Sequence, residues 1–295
     1  MSDASFGYGF KVGHYTNADA RTGCTVILPP PGNVTSVDVR GSSPSSRELM
    51  HLDPDRKLTE VHGILLTGGS AFGLAAATGV VGWLEAAGIG YETSIARVPI
   101  VPAAVIFDLG AGDPSTRPGP EDGVAACADA REHGISTGPV GAGAGATVGK
   151  WAGREFAVPG GFGVATVERD GEAVSALAVV NPVGDVIGAD GRVLAGTTSP
   201  EPRYRGPGLP PDMPSNTVLA VVGTRARLDK LQVRFLAARG SDGVTIAVRP
   251  AHTRYDGDVV FACAAPDDSG RIPNLDVLGH LSTEAVAAAV RNAVA

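Results

Sequence analysis

The residues most able to do chemistry are Asn216 and Thr217, at the junction between a proline-rich segment and an apolar run. Thr197 to Asn216 (TTSPEPRYRGPGLPPDMPSN) holds six prolines, little hydrophobic content and no periodicity, the signature of a flexible linker or surface loop. Thr217 then opens TVLAVVGT, a β-branched strand. If the bond between them is cut, Thr217 gains a free α-amine with a reference pKa of about 7.7–8.0, against about 10.4 for lysine. Such an amine accepts the proton of its own hydroxyl near neutral pH, and this pairing is a nucleophile–base unit. Taken alone, the dipeptide reads far more readily as an ordinary strand opening after a loop.

Composition narrows the setting. With 295 residues, 43% hydrophobic and 19% charged, the chain is long enough to bury a sizeable core and is globular in character. The 41 glycines and 22 prolines predict many tight turns and close backbone approaches. A net charge of −7 with no basic run speaks against nucleic-acid or anionic-membrane partners. Three cysteines without a CxxC pair fit a reducing compartment and offer neither a disulfide framework nor a zinc site. The six histidines are scattered, and the proposed chemistry requires no metal or cofactor. The start, MSDASFGYGF, lacks the pattern of a signal peptide, so a cytoplasmic protein is expected.

The elements that must position the junction follow from periodicity and turn residues. Short strands are expected over GYGFKVGHYT, CTVILP and VTSVDVR, then a buried strand at ILLTGG. A well-buried helix, capped by Ser70, is expected to run to Gly88, and a second from Pro120 to His133. Val98 to Leu109 reads as a strand-like run with prolines at an edge or bulge. Asp170-Gly171 and Asp190-Gly191 each sit between alternating strands and predict two hairpins. After Thr217, a helix over Leu228–Arg239, strands at VTIAV and DVVFACAA, and a final helix from Ser282 are expected. Hairpin-linked strands with interspersed helices point to α+β layers of helices over antiparallel sheets.

Six stretches together carry a family resemblance: LLTGGSAFGL (Leu65–Leu74), VPIVPAAVIFDL (Val98–Leu109), GAGAGATVGKW (Gly141–Trp151), VVNPVGDV (Val179–Val186), SNTVLAVVGT (Ser215–Thr224) and HTRYDGDVVFA (His252–Ala262). In this order they resemble the DmpA/nylon-oligomer hydrolase family, from about Phe10 to the C-terminus. The resemblance implies an αββα sandwich of N-terminal-nucleophile type, similar to ornithine acetyltransferase, that cleaves itself before its nucleophile. It implies one domain, residues 1–295, cut into 1–216 and 217–295, with 197–216 as linker. Asn216-Thr217 sides with the nylon-oligomer branch, since the aminopeptidase branch uses serine.

The same resemblance implies the supporting residues. Asp256 and Asp258 would surround the nucleophile's hydroxyl and amine, and their i, i+2 spacing lets both face one side of a strand. Lys150 would be the catalytic lysine, a cation that keeps the Thr217 amine neutral. Asn181 would donate its side-chain amide to the oxyanion. Each also has a plainer reading: a solvated turn, a surface lysine, an Asn-Pro turn. Gly68, Gly69 and Ser70 would wall the substrate site, and Phe107 stands where nylon-oligomer hydrolases carry a tyrosine. The expected substrate is a small amide or short peptide, 6-aminohexanoate oligomers included, and cleaved pairs are expected to form a homo-tetramer. The rivals are an aminopeptidase/D-esterase, an acyltransferase (whose Ala-Thr-Met-Leu-type cut site Asn-Thr-Val-Leu matches poorly) and a non-catalytic binding protein.

Overall fold

Two five-stranded sheets organise the computed structural model, which describes residues 4–201, 203–204 and 216–295. Most of the expected linker, residue 202 and residues 205–215, lies outside the described residues. In chain order, the strands of these sheets are β1 (Lys11–Asn17), β2 (Thr22–Leu28), β3 (Val34–Val39), β4 (Ser46–Arg47), β5 (Ile64–Thr67), β6 (Ala103–Val105), β7 (Gly161–Arg169), β8 (Glu172–Asn181), β9 (Thr217–Arg225) and β10 (Val259–Ala265). One sheet has the order β1-β2-β5-β6-β4 and the other β7-β8-β9-β10-β3. Helices α1 (Ala76–Ala86) and α2 (Pro120–Asp129) cover the first sheet, and α3 (Lys230–Ala247) and α4 (Leu275–Asn292) the second.

The result is the expected αββα sandwich. Ile27, Ile64, Leu66 and Ile106 meet Leu177, Val179, Leu219 and Val221 between the sheets. The opposite faces meet the helices: Val218, Ala220 and Val222 of β9 pack with Leu236, Val244, Leu281 and Val286. Strand alternation therefore decides where Thr217 points. It shares the parity of Leu219 and Val221 and faces the space between the sheets.

Several details differ from the sequence expectation, each for a local reason. The sheets are mixed, because β5–β6 and β9–β10 run parallel. Only Ala103–Val105 of the Val98–Leu109 run joins the main ladder, as Pro99 and Pro102 cannot donate to it. Ser70 adopts φ +54° with no side-chain cap, and a 3₁₀ turn over Ser70–Ala75 precedes α1, leaving Phe72 exposed. Helix α2 stops at Asp129, not His133, because Arg131 turns away to bridge Val12 of β1. Helix α4 starts at Leu275, capped by Asn274, whose Oδ1 accepts from the Val277 N–H at 3.2 Å.

The expected strand VTIAV is instead the end of α3. Its glycines are packing positions and not breakers. A Cβ on Gly243 would lie 2.4 Å from the Thr283 carbonyl oxygen of α4, and one on Gly240 within 3.0 Å of both Val260 and Val222. Gly82, also helical, has nothing within 4 Å of such a Cβ. Opposite effects are expected from one substitution: Gly82→Ala raises stability by roughly 0.5–1 kcal/mol through helix propensity. Gly243→Ala lowers it by about 1–3 kcal/mol through the clash. Urea unfolding midpoints of the two variants check this.

Candidate active site

Thr217 opens β9 directly opposite Asn181, the last residue of β8. Both are buried, as is Asn216, which forms an isolated bridge to Asp256. The Asn216 carbonyl oxygen receives two donors. The Gly257 N–H donates to it at 2.8 Å, and the Thr217 hydroxyl donates to the same oxygen. Gly257 can come this close only without a side chain: a Cβ there would sit 3.0 Å from Thr217 Oγ1 and 2.6 Å from the Ser43 carbonyl oxygen. The carbonyl of the expected cut bond thus lies between a fixed backbone donor and the expected nucleophile.

Asp258 and Asp256 sit in the loop before β10, and their carboxylates serve different partners. Asp258 Oδ1 accepts from the Val218 N–H at 2.6 Å, next to the nucleophile, and Oδ2 meets His252 Nδ1 at 2.6 Å. Asp256 accepts from the Val183 N–H at 3.2 Å and from the N–H and hydroxyl of Thr253. Burial and the charge of Asp258 push the Asp256 carboxyl above the usual range. The pair therefore frames the junction through the backbone on either side of Thr217, with the carboxyl groups apart in function.

His252, inside the HTRYDGDVVFA stretch, received no role from the sequence. Its Nε2 meets the Ser241 carbonyl at 3.1 Å while Nδ1 meets Asp258. Both partners are acceptors, so both ring nitrogens donate, as in the charged imidazolium. Burial and the Arg40 charge oppose that charge, but Asp258 and the Ser241 carbonyl outweigh them and raise the pKa above 6.5.

Lys150 is fully buried, contrary to a surface reading. Its Nζ donates to the Asn181 carbonyl at 3.0 Å and to Asn181 Oδ1 at 2.8 Å. Burial and the nearby Arg154 charge hold its pKa well below the ordinary lysine value, with Asp256 opposing. The sequence treats Lys150 as a cation; burial in the structure works against that charge. The same Asn181 oxygen accepts from the Thr147 N–H at 3.0 Å, and the Asn181 amide donates to the Phe107 carbonyl at 3.3 Å. Lys150 and Thr147 thereby fix which way the Asn181 amide faces.

Lys150 also lies at the wall of a cleft of about 480 Å³ that Phe107, Asp108 and Arg154 line. Gly68, Gly69 and Ser70 do not line it. They brace its wall instead: the Gly69 N–H donates to Asp108 at 2.7 Å, a Cβ on Gly68 would strike that carboxylate, and the Ser70 N–H donates to Ile106. Among the described residues no group of three or more His, Cys, Asp or Glu side chains converges as a metal site.

The raised His252 pKa carries a sign. Stability from the imidazolium–Asp258 pair is fully present below the unfolded value of about 6.5 and is lost as pH rises through the folded value. Urea midpoints are expected to fall across that window in the wild type. In His252→Asn this fall is expected to be absent; equal pH dependence in both proteins contradicts the assignment.

With this geometry in place, comparison with known proteins is direct. The model of "Peptidase family S58" matches residues 8–295. An "uncharacterized aminopeptidase" of Mycobacterium tuberculosis is 39% identical over 280 residues, 87% of this chain and 79% of the relative. A 6-aminohexanoate-oligomer endohydrolase of Kocuria is 28% identical over 310 residues, 97% of this chain and 84% of that one. Among solved structures, the L-aminopeptidase D-Ala-esterase/amidase of Ochrobactrum anthropi, described as a variant of the Ntn-hydrolase fold, superposes with a TM-score of 0.73 at 19% identity, covering 99% of this chain and 87% of its own. A Burkholderia β-aminopeptidase gives 0.71 at 22% identity, covering 99% and 88%. The chain belongs to peptidase family S58 and is a hydrolase of peptide or amide bonds on an N-terminal-nucleophile fold.

Proposed function

We propose that the chain cuts itself between Asn216 and Thr217 and then uses Thr217 as the nucleophile of an amidohydrolase. The observation that carries this reading is the Asn216 carbonyl, held between the Gly257 N–H and the Thr217 hydroxyl. In the first step Thr217 Oγ1 bonds to the Asn216 carbonyl carbon while the Gly257 N–H stabilises the oxyanion. The carbon–nitrogen bond then breaks, the hydroxyl proton passes to the departing Thr217 nitrogen, and water hydrolyses the ester. Asp258 holds the Val218 N–H, so the start of β9 stays in place when the bond opens.

In the processed enzyme the Thr217 amine acts as base and Oγ1 attacks the substrate amide, forming an acyl-enzyme that water releases. Asn181, oriented by Lys150, faces Thr217 across the β8–β9 pair and supplies an amide donor for that second oxyanion. Asp256, held near protonation by burial, and Asp258 set the charge around the amine. The substrates are short peptides or 6-aminohexanoate oligomers, in keeping with the named activity of the Kocuria relative. An aminopeptidase acting on small amino-terminal residues is the second reading, favoured by the higher identity to the mycobacterial relative. Phe107, with no hydroxyl to offer, weighs toward it. Self-association of the cleaved pairs as a tetramer fits the exposed Ile89, Tyr91, Ile95 and Val98, and three buried free cysteines fit a cytoplasmic enzyme.

The cut would yield fragments of roughly 22 and 8 kDa in proportion to chain length. On a denaturing gel the wild type is expected to show both, and Thr217→Ala only the full-length 29.8 kDa chain. Cleavage that persists in Thr217→Ala sinks the proposal. Gly257→Ala, which crowds Oγ1 and displaces the backbone donor, is expected to slow self-cleavage by on the order of 100-fold, as loss of an oxyanion donor does.

A further inference from the structure

The 480 Å³ cleft beside Lys150 carries a charge pattern that the hydrolase reading alone does not explain. Its walls are largely apolar, from Phe107, Leu109, Val158 and Pro159, yet two arginines, Arg21 and Arg154, also line it. The Arg154 guanidinium lies 5.5 Å from the Phe107 ring centroid, a cation–π contact that holds it against the cleft wall. It is half-buried, and burial lowers its pKa, a sign that its charge is partly stripped of water. Arg21 is more exposed and is tethered at the rim by donating to the Ala111 carbonyl at 3.1 Å.

The one acidic residue among the described residues lining the cleft is Asp108. Its carboxylate is turned away to the Thr22 hydroxyl and the Gly69 N–H, each at 2.7 Å. Burial raises its pKa and so works against its charge. Lys150 lies deeper, with Nζ committed to Asn181. The Arg154 charge reaches far enough to act on Lys150, which places it electrostatically beside the machinery that faces Thr217.

From this arrangement we infer that the cleft selects amide substrates bearing a carboxylate, and that Arg154 is the residue that recognises it. A guanidinium carries five N–H donors whose geometry matches a carboxylate, and in a partly dry cleft such charge-assisted bonds are stronger than neutral ones. Among the described lining residues, a free amine at this end of the substrate would meet two guanidinium groups and a turned-away Asp108. The inference rests on the proposed role of Thr217, which the cleft reaches through Lys150 and Asn181, but it concerns binding and is testable apart from turnover.

The carboxylate could belong to the leaving or the acyl part of the substrate, so two matched pairs are needed. Trialanine and trialanine amide vary the leaving side; N-succinyl- and N-propionyl-alaninamide vary the acyl side. Binding to the purified, processed protein is measured by titration calorimetry, with hydrolysis followed in parallel by mass spectrometry. One pair is expected to show an acid preference of about tenfold or more, reduced toward unity in Arg154→Gln and partly kept in Arg154→Lys. The preferring pair also reports which side of the bond lies in the cleft. Equal binding of acid and neutral partners in both pairs, or an acid preference that survives Arg154→Gln with the fold intact by circular dichroism, overturns the inference. Acid-selective binding without hydrolysis of any ligand upholds it while contradicting the Thr217 reading.

Discussion

The structure depends on one carbonyl group. The oxygen of Asn216 accepts from the Gly257 backbone and from the Thr217 hydroxyl at a point where neither element has slack. Gly257 is pinned by Ser43 on one side and Thr217 on the other, and Thr217 is the first residue of a central strand paired on both edges. The β8–β9 and β9–β10 ladders, buried on both faces by the two cores, hold this carbonyl rigidly, as the proposed oxyanion role requires. The Gly257 donor lies in the short loop before β10, held there by close contact with Ser43 and Thr217 and by the ladders on either side.

Charge around that carbonyl is arranged by burial more than by direct contact. Lys150 and Asp256 are both shifted toward their neutral forms, in opposite directions, by the same desolvation. Asp258 is supported by His252, whose second nitrogen is anchored to α3 through Ser241. The strand-end chemistry is thereby tied to the outer helix layer, and the packing of α3 through Gly240 and Gly243 becomes relevant to the site.

Much of this was legible in the sequence because it rests on local signals. Alternation and Asp-Gly turns mark the β7–β8 hairpin, where Asp170 and Gly171 both take positive φ. The abrupt change from proline-rich to β-branched residues marks Thr217, whereas Lys150, Asn181, Asp256 and Asp258 enter only through the family resemblance. What escaped depends on tertiary contact. Gly240 and Gly243 look like helix breakers until α4 and β10 are seen against them. His252 is one of six histidines until Asp258 and Ser241 close on its two nitrogens. The Gly257 N–H leaves no side-chain trace at all, and Gly68 to Ser70 are recognisable as glycine-rich without showing that they brace Asp108.

The most direct test of the central claim is the amino-terminal sequence of the smaller fragment in purified active protein. Self-cleavage driven by Thr217 at the held Asn216 carbonyl predicts a single start at Thr217, with a free amine and no ragged ends. A fragment starting elsewhere in 197–216, or full activity in a chain that carries no cut, would contradict the account.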